Sequence, residues 1–184
     1  MIFFNMLTTL GVCKVIKKGQ LAWISLKEVH KVLARNYEKL EMLAISSTFE
    51  DIFILEPSPS LGSIALKFIG LFLYLNVDTL SVKQVAKVFH DGKTDIKSLE
   101  RRLYMVLNFL EVIDIVKHSD RVGQYKLIIN RESILNPAWA MRQISQTNTI
   151  GFTIESLLSR PNLFHIRIIY ENRRELFKRS YSLK

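Results

Sequence analysis

Residues 96–129 read IKSLERRLYMVLNFLEVIDIVKHSDRVGQYKLII, and the hydrophobic period changes part-way along this stretch. From Ile96 to Glu111 the apolar positions Ile96, Leu99, Leu103, Val106, Leu107 and Leu110 recur at three- and four-residue spacings, which is one face of a helix. Arg101, Arg102, Met105 and Asn108 point elsewhere. Ile113–Val116 and Tyr125–Ile129 are then short apolar runs on either side of a polar loop ending in Gly123, and they predict the two strands of a hairpin.

Upstream, SLGSIALKFIGLFLYL at residues 60–75 places Leu61, Ile64, Ala65, Phe68, Leu71, Phe72 and Leu75 on one wide apolar helix face. Ser60 is its N-cap, and Pro57 and Pro59 fence it from what precedes. Asn76–Leu80 reads as a turn. Ser81 and Gln84 are spaced as a capping box for a short helix to about Phe89, and a third helix starts at Thr94 or Asp95. Three helices followed by a hairpin is the order of a winged helix-turn-helix, so the fold class is α+β, mainly helical, with the complete unit over residues 60–130.

A weak internal repeat adds a second copy of part of this unit. FFNMLTTLGVCKVIKKGQLAW at residues 3–23 resembles VLNFLEVIDIVKHSDRVGQYKL at 106–127, with Asn5 on Asn108, Leu7 on Leu110, Leu10 on Ile113 and Val12 on Ile115. On this reading residues 1–25 are the closing part of a first winged helix whose earlier helices are absent from this chain. Residues 26–59 are an amphipathic basic helix, Leu26–Leu43, and an acidic linker. Residues 131–184 are a basic tail of unknown architecture, with helices expected near 137–145 and 154–158. Its arginine-rich end has the composition of a phosphate-binding arm, a nuclear localisation patch, or a solvated helix or disordered tail.

The formal charge is +9 over 184 residues, with the surplus concentrated in residues 1–40 and 131–184 and an acidic stretch at 41–60. Such a surplus attracts polyanions but does not by itself separate nucleic acid from acidic membranes or proteins. The single cysteine, Cys13, excludes an intramolecular disulfide and a cysteine-rich zinc site, and reads as a buried thiol. The apolar run Ile64–Val77 is interrupted by Lys67 and is much shorter than the ~20 residues a spanning helix needs, so no membrane partner is expected. The apolar N-terminus lacks the basic leader and small-residue cleavage site of a signal peptide. His30, His90, His118 and His165 are scattered and no metal or cofactor site is expected. Neither a phosphate-binding glycine loop nor a nucleophile motif is present, so an enzyme is not expected. Glu111 reads as a helix-surface partner of nearby basic residues.

The last helix of a helix-turn-helix unit enters the major groove, where the planar fork of arginine pairs with O6 and N7 of guanine. Arg101 and Arg102 lie early in that helix. A pair of surface arginines on an arbitrary helix would be solvated, and it is the surrounding pattern that favours base contact.

SLGSIALKF at 60–68 and ERRLYMVLNFLEVIDIVK at 100–117 resemble the winged-helix domain of the E-two-F/DP cell-cycle transcription factors, whose signature is Arg-Arg-x-Tyr-Asp followed by an Asn-x-Leu segment. LGVCKVIKKGQLAW, ending in Trp23, resembles the close of a second such domain. Two domains in one chain mark the atypical branch of the family, which pairs its own domains on DNA and mostly represses transcription. The resemblance implies that Arg101 and Arg102 read guanines of a GC-rich site while Tyr104 supports their helix against the DNA backbone. Lys97, Lys117, Arg121 and Lys126 are the expected phosphate contacts. The implied partners are double-stranded DNA and another E-two-F/DP chain, as homodimer or heterodimer, and the implied location is the nucleus. Three positions depart from the family pattern. The motif's aspartate is Met105, the wing's closing tryptophan is Leu127, and the arm before the first helix, Ile54–Pro59, carries Glu56 and no basic residue. These departures leave a second reading open, a degenerate unit that binds protein and has lost base recognition.

Overall fold

The computed structural model describes residues 2–18, 20–135 and 163–181. The helices expected near 137–145 and 154–158 lie outside the described residues. The chain runs through α1 (Ile2–Thr9), β1 (Cys13–Lys17), β2 (Gln20–Trp23), α2 (Glu28–Leu43), α3 (Phe49–Phe53), α4 (Leu61–Leu75), β3 (Thr79–Ser81), α5 (Val82–Phe89), α6 (Ile96–Val112), β4 (Val116–His118), β5 (Gln124–Leu127) and α7 (Leu163–Tyr181). It is an α+β protein, mostly helical, with two small antiparallel sheets among the described residues.

α4 is the centre of the molecule. The Ser60 side chain accepts from the Ser63 amide at its start, and Asn76 ends it in the left-handed conformation at φ 50°, which asparagine tolerates better than most residues. Arg131, arriving from beyond β5, donates to Asn76 Oδ1 at 3.1 Å and to the Val77 carbonyl, and pairs with Asp78 at 3.1 Å, which fastens that end. Every residue from Phe68 to Leu75 is buried. That is more than the single face its periodicity predicts, because α1, α2, α6 and α7 surround the helix. Residues 1–25, 26–59 and 60–130 therefore contribute to one contiguous core. The approach of α1 depends on Gly62: a Cβ there would lie 2.2 Å from Thr9 Oγ1, and its amide donates to Asn5 Oδ1 at 3.0 Å.

Three local expectations are corrected. Thr79–Ser81, of which Thr79 and Leu80 are read as the end of a turn and Ser81 as a helix cap, is a strand paired with β5 in the register Thr79–Lys126, Leu80–Tyr125, Ser81–Gln124. Ser81 does not cap α5 through its side chain; it is buried in that strand, and the Val82 amide instead donates to the Gly123 carbonyl at 2.9 Å. Gln84 reaches the Tyr181 carbonyl of α7. The hairpin strands are also shorter than expected, because Ile113 and Asp114 complete the end of α6, Asp114 at φ 54°. The acidic linker holds α3, closed by a reciprocal capping box between Thr48 and Asp51. Phe49 and Phe53 of α3 pack against Tyr74, and Phe49 also meets Phe177 and Tyr181 of α7.

The arginine-rich end is a docked helix. Arg173 makes a bidentate pair with Glu41 of α2 at 2.7 and 2.8 Å, and its guanidinium lies 3.7 Å from the centre of the Tyr74 ring. Tyr170 and Tyr37 share a hydroxyl hydrogen bond of 2.8 Å, and Arg174 donates to the Asn76 carbonyl at 3.3 Å. Burial opposes the charge of Arg173, yet the Glu41 carboxylate raises its pKa; the Tyr37 hydroxyl is pushed far up by burial and by Glu41.

The internal repeat extends to the main chain. Val12 donates to Leu7 and Ile115 donates to Leu110, each at 2.9 Å, while Gly11 to Thr8 and Asp114 to Glu111 are each 3.1 Å. Gly11 and Asp114 both have positive φ, 75° and 54°. Ile24 then closes on Val12 and Ile128 on Ile115. The same helix exit and the same hairpin closure are thus built twice from different side chains.

Candidate nucleic-acid interface

α6 begins at Asp95, whose carboxylate accepts from the amides of Lys97 and Ser98. Leu99, Leu103, Val106, Leu107 and Leu110 are buried against α4 and α5. Lys97, Arg101, Tyr104 and Asn108 follow at i, i+4, i+7 and i+11 on the opposite, exposed face. Lys97 and Arg101 make no ion pair among the described residues. Met105 is 38% exposed beside them.

Arg102 lies off that face. It is half-buried and donates to the Pro59 carbonyl, tying α6 to the arm before α4, in a crevice it shares with Leu55, Phe89 and Leu99. The two arginines that the sequence treats as a pair therefore occupy different surroundings: Arg101 is free to meet a ligand and Arg102 is engaged within the fold.

The hairpin adjoins the exposed face of α6 through Tyr104. The Tyr104 hydroxyl lies 3.5 Å from where a Cβ on Gly123 would sit, and Gly123 turns the hairpin at φ +72°. On the outer side of the sheet Lys117 is directly opposite Lys126. Like charges in that position repel, and neither has an acidic partner in the salt bridges of the described residues. Arg121 is exposed in the loop, where its carbonyl accepts from the Gln124 amide. Cations without an ion pair among the described residues thus line both the helix face and the hairpin, an arrangement suited to neutralising a polyanion.

Two features escaped the sequence reading. Lys83 and Lys87 are exposed at i, i+4 on α5, and their spacing on an amphipathic helix was signal enough to find them. The second is a chain of side chains joining helix to hairpin: Tyr125 Oη lies 2.7 Å from His118 Nε2, and His118 Nδ1 lies 2.9 Å from both Glu111 carboxylate oxygens. The His118 amide also donates to Glu111 at 3.2 Å. Nothing local in the sequence announces this chain, because it needs the end of α6 and the register of β4 on β5 together. Burial first, then the Glu111 and Tyr104 charges, push the Tyr125 hydroxyl up to about 12.

The hydrogen bonds from His118 hold the Glu111 carboxyl below its ordinary value of 4.5. A carboxyl depressed in the folded state contributes stability above the unfolded value and loses it as the pH falls through the folded one. The hairpin link is therefore expected to weaken below pH 4.5. Amide exchange in β4 and β5 followed through an acid titration checks this: in Glu111→Gln the acid-dependent loosening should disappear.

A separate groove of about 790 Å³ lies on another side, lined by Asn36, Leu40, Leu43, Ile52, Ile54, Leu66 and Lys67 among others. Lys67 donates to the Ile52 carbonyl at 3.0 Å and to the Ile54 carbonyl, and burial lowers its pKa. Among the described residues no group of three His, Cys, Asp or Glu side chains could hold a metal ion, and no helix is long and apolar enough to cross a membrane. No protein-family model, curated protein or solved structure matches this chain.

Proposed function

We propose that residues 60–129 are a winged helix of the E-two-F/DP type and that the chain is a nuclear, sequence-specific DNA-binding regulator of transcription, acting as a repressor at GC-rich promoter elements. The observation that carries this reading is the order α4-β3-α5-α6-β4-β5 with strand order β3-β5-β4, which sets unpaired cations on the free face of α6 and on the adjoining hairpin. In this reading α6 enters the major groove, with Arg101 on guanine and Lys97 and Tyr104 on the backbone. Lys117, Arg121 and Lys126 meet phosphates from the hairpin, and Lys83 and Lys87 from α5. The Arg102 bond to Pro59 supports a positioning role for that side chain, fixing the arm against the helix. A second E-two-F/DP chain would complete a two-unit site.

Fluorescence anisotropy of the full chain on a GC-core duplex and on a scrambled duplex, at two salt concentrations, tests the proposal. Arg101→Ala should lose about 1–3 kcal/mol of preference for the GC core, roughly 5- to 150-fold. Removing Lys117 and Lys126 together should weaken both duplexes alike and flatten the salt dependence by roughly 0.9 for each phosphate left unneutralised. Equal binding of both duplexes by wild type, or no binding, would overturn base reading. The alternative, a protein-interaction module, draws on the internal engagement of Arg102 and on Met105 in place of the acid that steadies the arginines in the family, and it would then lead.

A further inference from the structure

The two copies of the repeat differ in one respect. In the second copy β5 is a central strand, with β4 on one side and β3 on the other; in the first, β2 has β1 on one side and, among the described residues, no strand on the other. The closure of Ile24 on Val12 fixes the alternation of the β1–β2 ladder, so the amides and carbonyls of Leu21 and Trp23 point away from β1, toward the open edge. Their counterparts, Tyr125 and Leu127, are the residues that bind β3: Leu127 donates to the Asp78 carbonyl at 3.3 Å. Among the described residues, Leu21 and Trp23 make no main-chain hydrogen bond beyond the hairpin. The side chains agree with the main chain. Cys13, Val15, Leu21 and Trp23 share the face that in the second copy is closed by Leu80 and the helices, yet Val15 is 56% and Trp23 63% exposed.

We propose that the outer edge of β2 is a docking site for an extended antiparallel strand of a partner protein, with an apolar residue opposite Leu21 and acidic residues flanking it. The second copy shows what such a strand does: Leu80 of β3 sits opposite Tyr125 and is 3% exposed. The charge of the partner follows from the hairpin. Lys14, Lys17 and Lys18 are exposed, and no carboxylate occurs before Glu28. Main-chain hydrogen bonds would supply the binding, with selectivity from the exposed apolar side chains of Val15 and Trp23 and from the lysines. This inference rests on the internal repeat and is independent of DNA binding.

The test uses the isotope-labelled full chain and a peptide of residues 76–82, NVDTLSV, the chain's own example of such a strand. Amide resonances of Leu21, Ala22 and Trp23 should shift on titration, and exchange at Leu21 and Trp23 should slow by roughly tenfold or more at saturation. A peptide N-methylated at Leu80, which lacks the donor for the Leu21 carbonyl, should not bind. One N-methylated at Thr79, whose amide faces away, should still bind. Adding a second acidic residue to the peptide should tighten binding at low salt. Unchanged Leu21 and Trp23 amides, or equal binding of the two methylated peptides, would overturn the proposal. Protection that grows with protein concentration without peptide would overturn it in favour of a second copy on this edge.

Discussion

Glu41→Ala is expected to destabilise the protein by roughly 3–5 kcal/mol, the range for breaking a buried ion pair from one side. The pair is well enclosed, with side-chain exposures of 13% for Arg173 and 7% for Glu41. Removing the carboxylate leaves the guanidinium over Tyr74 with, among the described residues, only the Tyr74 carbonyl to donate to, at 3.3 Å. The chain can relieve that charge by releasing α7, so the loss is bounded by what docking of α7 contributes. Denaturant unfolding gives the magnitude, and amide exchange along 163–181 shows whether release occurs. The double variant Glu41→Leu/Arg173→Met should cost less than Glu41→Ala, since replacing both partners leaves neither a buried cation nor a buried carboxylate. Equal and small effects of the two would mean that water screens the pair.

Phe72→Ala should cost about 3–5 kcal/mol and should do so for the whole described fold at once. Phe72 is fully buried, edge-on to Phe68 at a centroid separation of 5.2 Å, in the helix that α1, α2, α6 and α7 surround. If residues 2–24 depend on that helix, exchange in β1–β2 and in β4–β5 should accelerate together. Acceleration confined to β4–β5 would show the N-terminal hairpin to hold independently of that helix, despite the shared core and links such as Asn5 on Gly62 and the 5.6 Å stack of Phe3 on Phe109.

Helical periodicity and capping residues made α4 and α6 legible in the sequence, because each carries an unbroken apolar stripe that no other element could satisfy. The repeat was legible from four matched positions, and the paired left-handed residues Gly11 and Asp114 give it a backbone basis. β3 was not legible: three residues are too few to show a period of two, and Thr79–Ser81 is a strand only because β5 is there to receive it. The docking of α7 was equally hidden, since Arg173 and Arg174 look like any basic tail until Glu41 and the end of α4 are brought to them. At the candidate interface the sequence named the residues but not their separation. Arg101 and Arg102 are neighbours in the chain, and helix geometry alone sends one outward and the other to Pro59.

The facing lysines of the hairpin carry a consequence for the free protein. Lys117 and Lys126 form a hydrogen-bonded cross-strand pair, whose Cα atoms in such ladders are about 5.5 Å apart, and their repulsion strains β4 against β5. Counter-ions relax that strain, so added salt tightens this hairpin in the unbound molecule while it loosens any grip on a polyanion. Ionic strength thus acts on the same two side chains with opposite signs: at low salt the hairpin is most reactive because it is least at rest.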